Sequence, residues 1–450
     1  MSPPFSGGDT AGLEGPVPGS AVDLLRAAED PPGAAGRADP GGPAEPGGRQ
    51  PARGRARWRL PIATLGPAFL AAVAYVDPGN VATNLAAGSR FGTALLWVVV
   101  TASAVGILVQ YLSSKLGLVT GRNLAEHCRE VMPTPVRVAM WLQAEIVVVM
   151  TDLAEIVGGA IALHLLVGLP LGAGAVVMVL AACVVLGGTV RGHGLFRPVV
   201  FASLGVVAVG FVYPALVSGV SAADIGAGLV PRVAGADSAY LAAGIVGATV
   251  MPHVVYLHSG LTTGVRSATG RGMRRLLQVS RAEVLLAMLL AGAVNSAVML
   301  AATALTPAEG AGIEATHRAF GASLGTVVAT LFAVALLASS FASTCVGVYS
   351  GQMIMQGFLD RSVSIWLRRA VSLLPALAVL LAGMDPTDAL VLSQVVLSFG
   401  LPFALGPLIW FTARRAPMGE DRNATVTTAV AVVVLAAVVA LNAFVLVSAW

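Results

Sequence analysis

From residue 61 onward the chain alternates long apolar runs with short connectors that carry most of its arginines. Eleven apolar segments stand out, at about 61–88, 93–117, 138–166, 169–189, 198–219, 239–263, 281–305, 323–357, 365–383, 387–413 and 424–448. A helix needs roughly 20 apolar residues to cross a bilayer, so each segment is expected to be a membrane-spanning helix. The eighth is long enough to project from the bilayer or to break within it. Two spans are interrupted. In the first, about sixteen mostly apolar residues run into Asp77-Pro78-Gly79-Asn80. This reads as a turn: Pro78 lacks a backbone donor, Gly79 admits positive φ, and Asp77 and Asn80 can bond their own backbone. In the sixth, Met251-Pro252-His253 removes a helix bond near mid-membrane.

Composition agrees with this pattern. Hydrophobic residues make up 56% of the chain and charged ones 11%, against roughly 25% charged in an average soluble domain. The expected class is an all-α polytopic membrane protein embedded in a lipid bilayer. The net charge of +4 is small and no nucleic-acid partner is indicated. Cys128, Cys183 and Cys345 are scattered and suggest neither a disulfide framework nor a thiolate metal cluster. Residues 1–57, rich in Pro, Gly and Ala, read as a disordered cytoplasmic tail, with no cleaved signal peptide expected. The remainder, 58–450, reads as one transmembrane domain. With the N-terminus inside, the inner connectors hold 17 basic residues and the outer ones 3. One missing span would invert every later connector, so this imbalance supports eleven spans and an extracellular C-terminus.

A carboxylate at mid-membrane is costly unless something compensates it. A helix broken at Asp77 would expose backbone carbonyls and two oxygen-bearing side chains, Asp77 and Asn80, to a cation. Breaks in spans one and six are what two five-span halves of opposite orientation produce, here 61–219 and 239–413, with 424–448 as an added helix. Pro252 taken alone reads equally well as an ordinary proline kink.

At this point the chain resembles the Nramp family of divalent-metal transporters. The likeness rests on Asp77-Pro78-Gly79-Asn80 and Met251-Pro252-His253. It extends through GLVTGRNLAE (Gly117–Glu126), Thr151-Asp152-Leu153-Ala154-Glu155, and SQVVLSF (Ser393–Phe399) in the tenth span. The resemblance implies a LeuT-like 5+5 inverted repeat with broken first and sixth helices. It also implies a metal site in which Asp77, Asn80 and Met251 bind through side chains and Ala248 through its carbonyl. Ala74 and Gln394 contribute in some conformations. The chemistry is consistent: Asp77 offsets a dication, and an unwound Ala248 has its carbonyl freed because Pro252 has no donor for it. Met251 offers a soft thioether that tolerates manganese or ferrous iron and gives little to magnesium or calcium. Outside this motif Met251 would read as core packing. One departure is Val254, where the family usually has asparagine.

Asp152 and Glu155 share one face of the third span, and Glu145 lies seven residues before Asp152. Carboxylates on such a stripe need a cavity or cationic partners, for which Arg368 and Arg369 in the ninth span are candidates. The resemblance implies that these five groups form a salt-bridge network carrying protons. His253 could titrate and link that route to the metal site, or simply make a structural hydrogen bond. His258 reads as a gating or packing residue. Glu314 and His317, in the fourth outer connector, are too few for a metal site and read as a solvated loop. The expected activity is proton-coupled import of Mn2+ or Fe2+ by alternating access, at the plasma membrane, by a monomer or weak dimer. Metal ions and protons are substrates, and no resident cofactor is expected. The competing reading is an amino-acid or other organic-solute symporter on the same fold. No nucleophile–base pair or soluble catalytic domain points to an enzyme, and no ring of selectivity residues points to a channel.

Overall fold

The computed structural model describes residues 66–190, 196–266, 270–303, 312–361 and 364–448, with the side chains of 185–190, 196–198 and 365–366 excepted. The tail at 1–57 and the first residues of span one lie outside them. All regular structure among the described residues is helical. The first span is two helices, α1 (Pro67–Ala74) and α2 (Pro78–Phe91). The second span is α3 (Leu96–Thr120), and α4 (Leu124–Val131) is a connector held by a capping box between Asn123 and Glu126. Spans three to five are α5 (Thr134–Val167), α6 (Leu171–Val190) and α7 (Phe196–Val217), followed by the short α8 (Ala222–Gly228). The sixth span is again divided, into α9 (Ala236–Val250) and α10 (Pro252–Leu261). Then come α11 (Met273–Ala302), the connector α12 (Ile313–Ser323), α13 (Thr326–Leu359), α14 (Ile365–Leu381), α15 (Pro386–Ala413), a turn α16 (Arg415–Met418) and α17 (Thr425–Ser448). Every expected span has a helix.

With the sixth counted whole, eight of these stretches are long and apolar enough to cross a membrane. The others are the divided first span, α6 with its apolar stretch Leu171–Val184, and the 17-residue α14. Both α5 and α13 have 34 residues, or about 51 Å at 1.5 Å per residue. The eighth span does not break, and it is longer than the roughly 30 Å hydrocarbon core requires.

Packing follows a two-fold pattern. Span three packs on span eight and span two on span seven, each against its counterpart five spans on. Span ten packs on span three as span five packs on span eight, and α2 packs on α11 as α10 packs on α3. The sixth span is central, with 89% of its most apolar window buried against 22% for α17. This is the inverted-repeat architecture with breaks in helices one and six. The His317 region departs from expectation. It is the 11-residue helix α12, whose Ile313, Thr316, Ala319 and Phe320 are buried, so the connector is folded against the bundle and not a solvated loop.

Candidate metal site

Asp77-Pro78-Gly79-Asn80 does not form a turn with a left-handed glycine. Asp77 is the N-cap of α2, with φ −75° and ψ 165°, and its Oδ1 accepts the Asn80 backbone N–H at 2.9 Å. Pro78 fills the first helical position, where a missing N–H costs nothing, and Gly79 is helical. The glycine is needed for space, because a Cβ there would collide with the Gln394 side chain of α15. That close approach lets Gln394 Nε2 donate to Asp77 Oδ2 at 3.4 Å and to Ser393 Oγ at 3.0 Å.

The backbone between α1 and α2 is unwound at Tyr75 and Val76, and its carbonyls are bound by side chains. Tyr75 O accepts from Asn80 Nδ2 at 2.7 Å and from Asn295 Nδ2 of α11 at 2.9 Å. Val76 O accepts from the Ser339 hydroxyl of α13. Ala248 is not unwound, since α9 continues to Val250. Its carbonyl is nevertheless free of the helix ladder, because Pro252 four residues on has no N–H, and it accepts from Asn80 Nδ2 at 3.2 Å. Asn80 thus links the ends of both half-helices. Its Oδ1 accepts Asn84 Nδ2 at 2.7 Å.

Met251 is the joint between α9 and α10, with φ 0° and ψ 112°. It is wholly buried in the same apolar cluster as Ala74, Tyr75 and Val76. Val254, also buried, donates its N–H to Met251 O at 3.2 Å. Asp77, Asn80, Ala248, Met251 and Gln394 have no solvent-accessible surface, and Ala74 has 1%. Among the described residues no group of three or more His, Cys, Asp and Glu side chains is placed to hold a metal. A cation held among Asp77, Asn80, Ala248 and Gln394 would meet one carboxylate, two amide oxygens and a backbone carbonyl. Such a mixed, weakly charged set suits an ion that must leave again.

A second cluster lies where α5, α13 and α14 meet. Arg369 Nη1 is 3.0 Å from Asp152 Oδ1, and its Nη2 donates to Thr344 O at 2.5 Å. The Ser372 hydroxyl donates to Asp152 Oδ2. Arg368 Nη2 is 2.8 Å from Glu145 Oε2, with Trp141 Nε1 donating to Glu145 Oε1 at 3.2 Å. Glu155 accepts from Ser343 Oγ at 2.6 Å, while its other oxygen is buried without a partner. His253 Nδ1 lies 3.3 Å from Thr151 Oγ1, and its Nε2 is likewise buried without one. His258 is held apart from this cluster, its Nδ1 2.8 Å from Gln110 Oε1 of α3.

The structure therefore joins Asp77, Asn80, Ala248 and Gln394 by hydrogen bonds and pairs each arginine with its own carboxylate. Sequence reasoning missed Asn295, which binds the Tyr75 carbonyl, and the hydroxyls of Ser339, Ser343 and Ser372. A signal for the first two serines existed: Ser339 and Ser343 stand four apart on one helix face, within a run of small hydroxyl residues (Ser339, Ser340, Ser343, Thr344) inside a membrane span.

Comparison with known proteins gives the family and agrees with the fold. A family described as "Natural resistance-associated macrophage protein-like" matches residues 68–448. A divalent metal cation transporter MntH of Mycobacterium tuberculosis is 50% identical over 385 residues, covering 84% of this chain and 90% of the relative. MntH of Deinococcus radiodurans is 45% identical over 388 residues, covering 85% and 89%. The solved manganese transporter of Eremococcus coleocola superposes with a TM-score of 0.75 at 29% identity, covering 84% of this chain and 85% of that one. MhsT, solved in complex with L-phenylalanine, shares the fold alone, with a TM-score of 0.58 at 16% identity over 88% of this chain and all of that one. With its divided first and sixth spans, its buried Asp77–Asn80–Ala248 cluster and its family match over residues 68–448, the chain belongs to the Nramp family of membrane transporters.

Proposed function

We propose that this protein imports divalent transition metal ions, Mn2+ foremost and Fe2+ besides, by proton-coupled alternating access across the plasma membrane. The observation that carries the reading is the meeting of Asp77, Asn80 and the Ala248 carbonyl at two helix breaks in the buried interior. Asp77 supplies the one charge needed to offset a dication. Asn80, Gln394 and Ala248 add neutral oxygens, Ala74 a further carbonyl, and Met251 the sulfur that disfavours hard ions. The relatives described as divalent metal cation transporters and as a manganese transporter support the cargo.

Protons would pass along Glu155, Asp152 and Glu145, whose partners Arg369 and Arg368 hold the charges in place. His253 stands between Thr151 of this stripe and the Met251 joint, which suits it to connect the two. His258, tied to Gln110, would act in gating. The repeats are 61–219 and 239–413, with α17 added outside them. The N-terminus lies in the cytoplasm and the C-terminus outside, and a monomer or weak dimer suffices.

The organic-solute alternative fits less well. Carriers of that kind place a substrate carboxylate at a half-helix N-terminus, and here the Asp77 carboxylate already holds that position at α2. The test is uptake into liposomes containing the purified protein, with the outer solution more acidic than the lumen. Mn2+ uptake that the pH gradient accelerates and Asp77→Ala abolishes is expected. Amino-acid uptake without Mn2+ uptake would overturn the reading.

A further inference from the structure

We propose that a cavity at the inner ends of spans three and eight binds a phosphate group, supplied in the membrane by the headgroup of an anionic phospholipid. The cavity has a volume of about 450 Å3 and is lined by Arg129, Arg137, Phe358, Leu359, Asp360 and Arg361. That volume falls within the roughly 300–1,000 Å3 of small-ligand sites. Its three guanidiniums come from three elements: the connector α4, the first turn of α5, and the residues just beyond α13.

The charges are unbalanced. Asp360 is the one acid in the lining, and it is taken by Arg129 at 2.9 Å. The other acids of α4 are engaged elsewhere, Glu126 in the capping box and Glu130 with Arg122. Among the described residues, Arg137 and Arg361 have no ion-pair partner. Arg137 Nε is moreover buried with no hydrogen-bond acceptor. A cation attracted only by the end of α13 would explain Arg129, which reaches Gln356 O at 3.4 Å. It does not explain Arg137, which stands on a different helix with a buried donor unmet.

The chemistry that fits is a multiply accepting anion. Guanidinium forks pair with phosphate oxygens through two hydrogen bonds, and a phosphate has more acceptor oxygens to share among several arginines than a carboxylate or a halide has. The floor of the cavity is apolar, formed by the fully buried Phe358 and by Leu359, as a glycerol backbone above acyl chains requires. Charge counting puts this face in the cytoplasm, where the leaflet is rich in anionic lipid. A phosphate held there would join α4, α5 and α13.

The experiment uses the full chain in a neutral detergent and follows its thermal melting midpoint. Phosphatidylglycerol is titrated against phosphatidylcholine, and sodium phosphate against chloride at equal ionic strength. Phosphatidylglycerol is expected to raise the midpoint by several degrees, with the titration midpoint shifted about tenfold or more in Arg137→Gln/Arg361→Gln. Arg137→Lys/Arg361→Lys should recover part of the effect. Stabilisation by inorganic phosphate alone, lost in the same variant, supports the site and identifies a free phosphate compound as its source. If the double variant does not fold, Arg361→Gln at its exposed position carries the comparison. Equal stabilisation of wild type and variants, or none by either phosphate form, would overturn the proposal.

Discussion

The Asp152–Arg369 pair allows a quantitative test. Both side chains are about 2% exposed and their charged atoms are 3.0 Å apart. Two unit charges at that distance attract by about 5 kcal/mol at an effective dielectric constant near 20, offset by the desolvation of both. Arg369→Gln removes the cation and the bond to Thr344 O, leaving Asp152 with only the Ser372 hydroxyl. Breaking a buried pair in this way costs roughly 3–5 kcal/mol, because one charge stays buried and uncompensated. Asp152→Asn should cost a similar amount from the other side. In Asp152→Asn/Arg369→Gln both charges are gone, so the loss should fall short of the sum by about 2–3 kcal/mol. Melting midpoints of the four purified proteins in one detergent give the comparison. Losses that add to within about 0.5 kcal/mol would show that the two side chains do not depend on each other, and the network would have to be abandoned. The same variants, with Glu155→Gln, should also lose proton flux accompanying Mn2+ uptake; undiminished flux in both carboxylate variants counts against the conduit.

Three shorter tests follow. Gly79→Ala should push Gln394 away from Asp77, at about 1–3 kcal/mol of overpacking, and weaken Mn2+ binding in calorimetry; unchanged affinity would show that Gln394 has no part in the site. Met251→Ala should keep Mn2+ uptake but admit Ca2+ or Mg2+ in competition assays, and unaltered selectivity would return Met251 to a packing role. Burial holds the His127 imidazole, on connector α4, below its ordinary 6.5, so the unfolded chain takes up a proton that the folded one refuses. The stability from the neutral ring is complete above 6.5 and lost as pH falls toward the lower folded value. His127→Gln, which can still donate to Thr120, should flatten the loss of thermal stability between about pH 7 and 5; an unchanged slope would assign that loss to other groups.

The eleven spans were readable because a bilayer demands length and apolarity of each helix, and the arginine distribution checks the count. The breaks were readable because Pro78 and Pro252 have no N–H to give. Their conformation was less so. Asp-Pro-Gly-Asn satisfies both a turn and a helix start, since in each the aspartate accepts an N–H further along. The helix start prevails because the residues from Val81 to Ala87 can carry the helix on. Ala248 was expected to be unwound, yet the loss of one N–H donor to its carbonyl does not unwind a helix that runs two residues further. The carboxylate stripe marked Arg368 and Arg369 as candidate partners, but which arginine meets which carboxylate was legible only in the structure. Asn295 could not be joined to Tyr75, 220 residues away, because sequence gives depth along a helix and not which neighbour it turns toward. Likewise α12 was missed because its buried positions lie within a polar connector.

The 34-residue helices α5 and α13 contain no internal proline and pack against each other along their length. Asp152 and Glu155 ride on one of these rods, whereas Asp77 and Met251 sit at joints. A membrane voltage acts differently on the two sets. Under the proposed alternating access, charge on a rod would keep its depth in the field, and charge at a joint would change depth as the half-helices pivot. Full passage of one charge through 100 mV is worth about 2.3 kcal/mol. Under the proposed function, that electrical work falls on the ion at the joints and on each proton moving past the stripe, while the carboxylates of the rod keep their own depth.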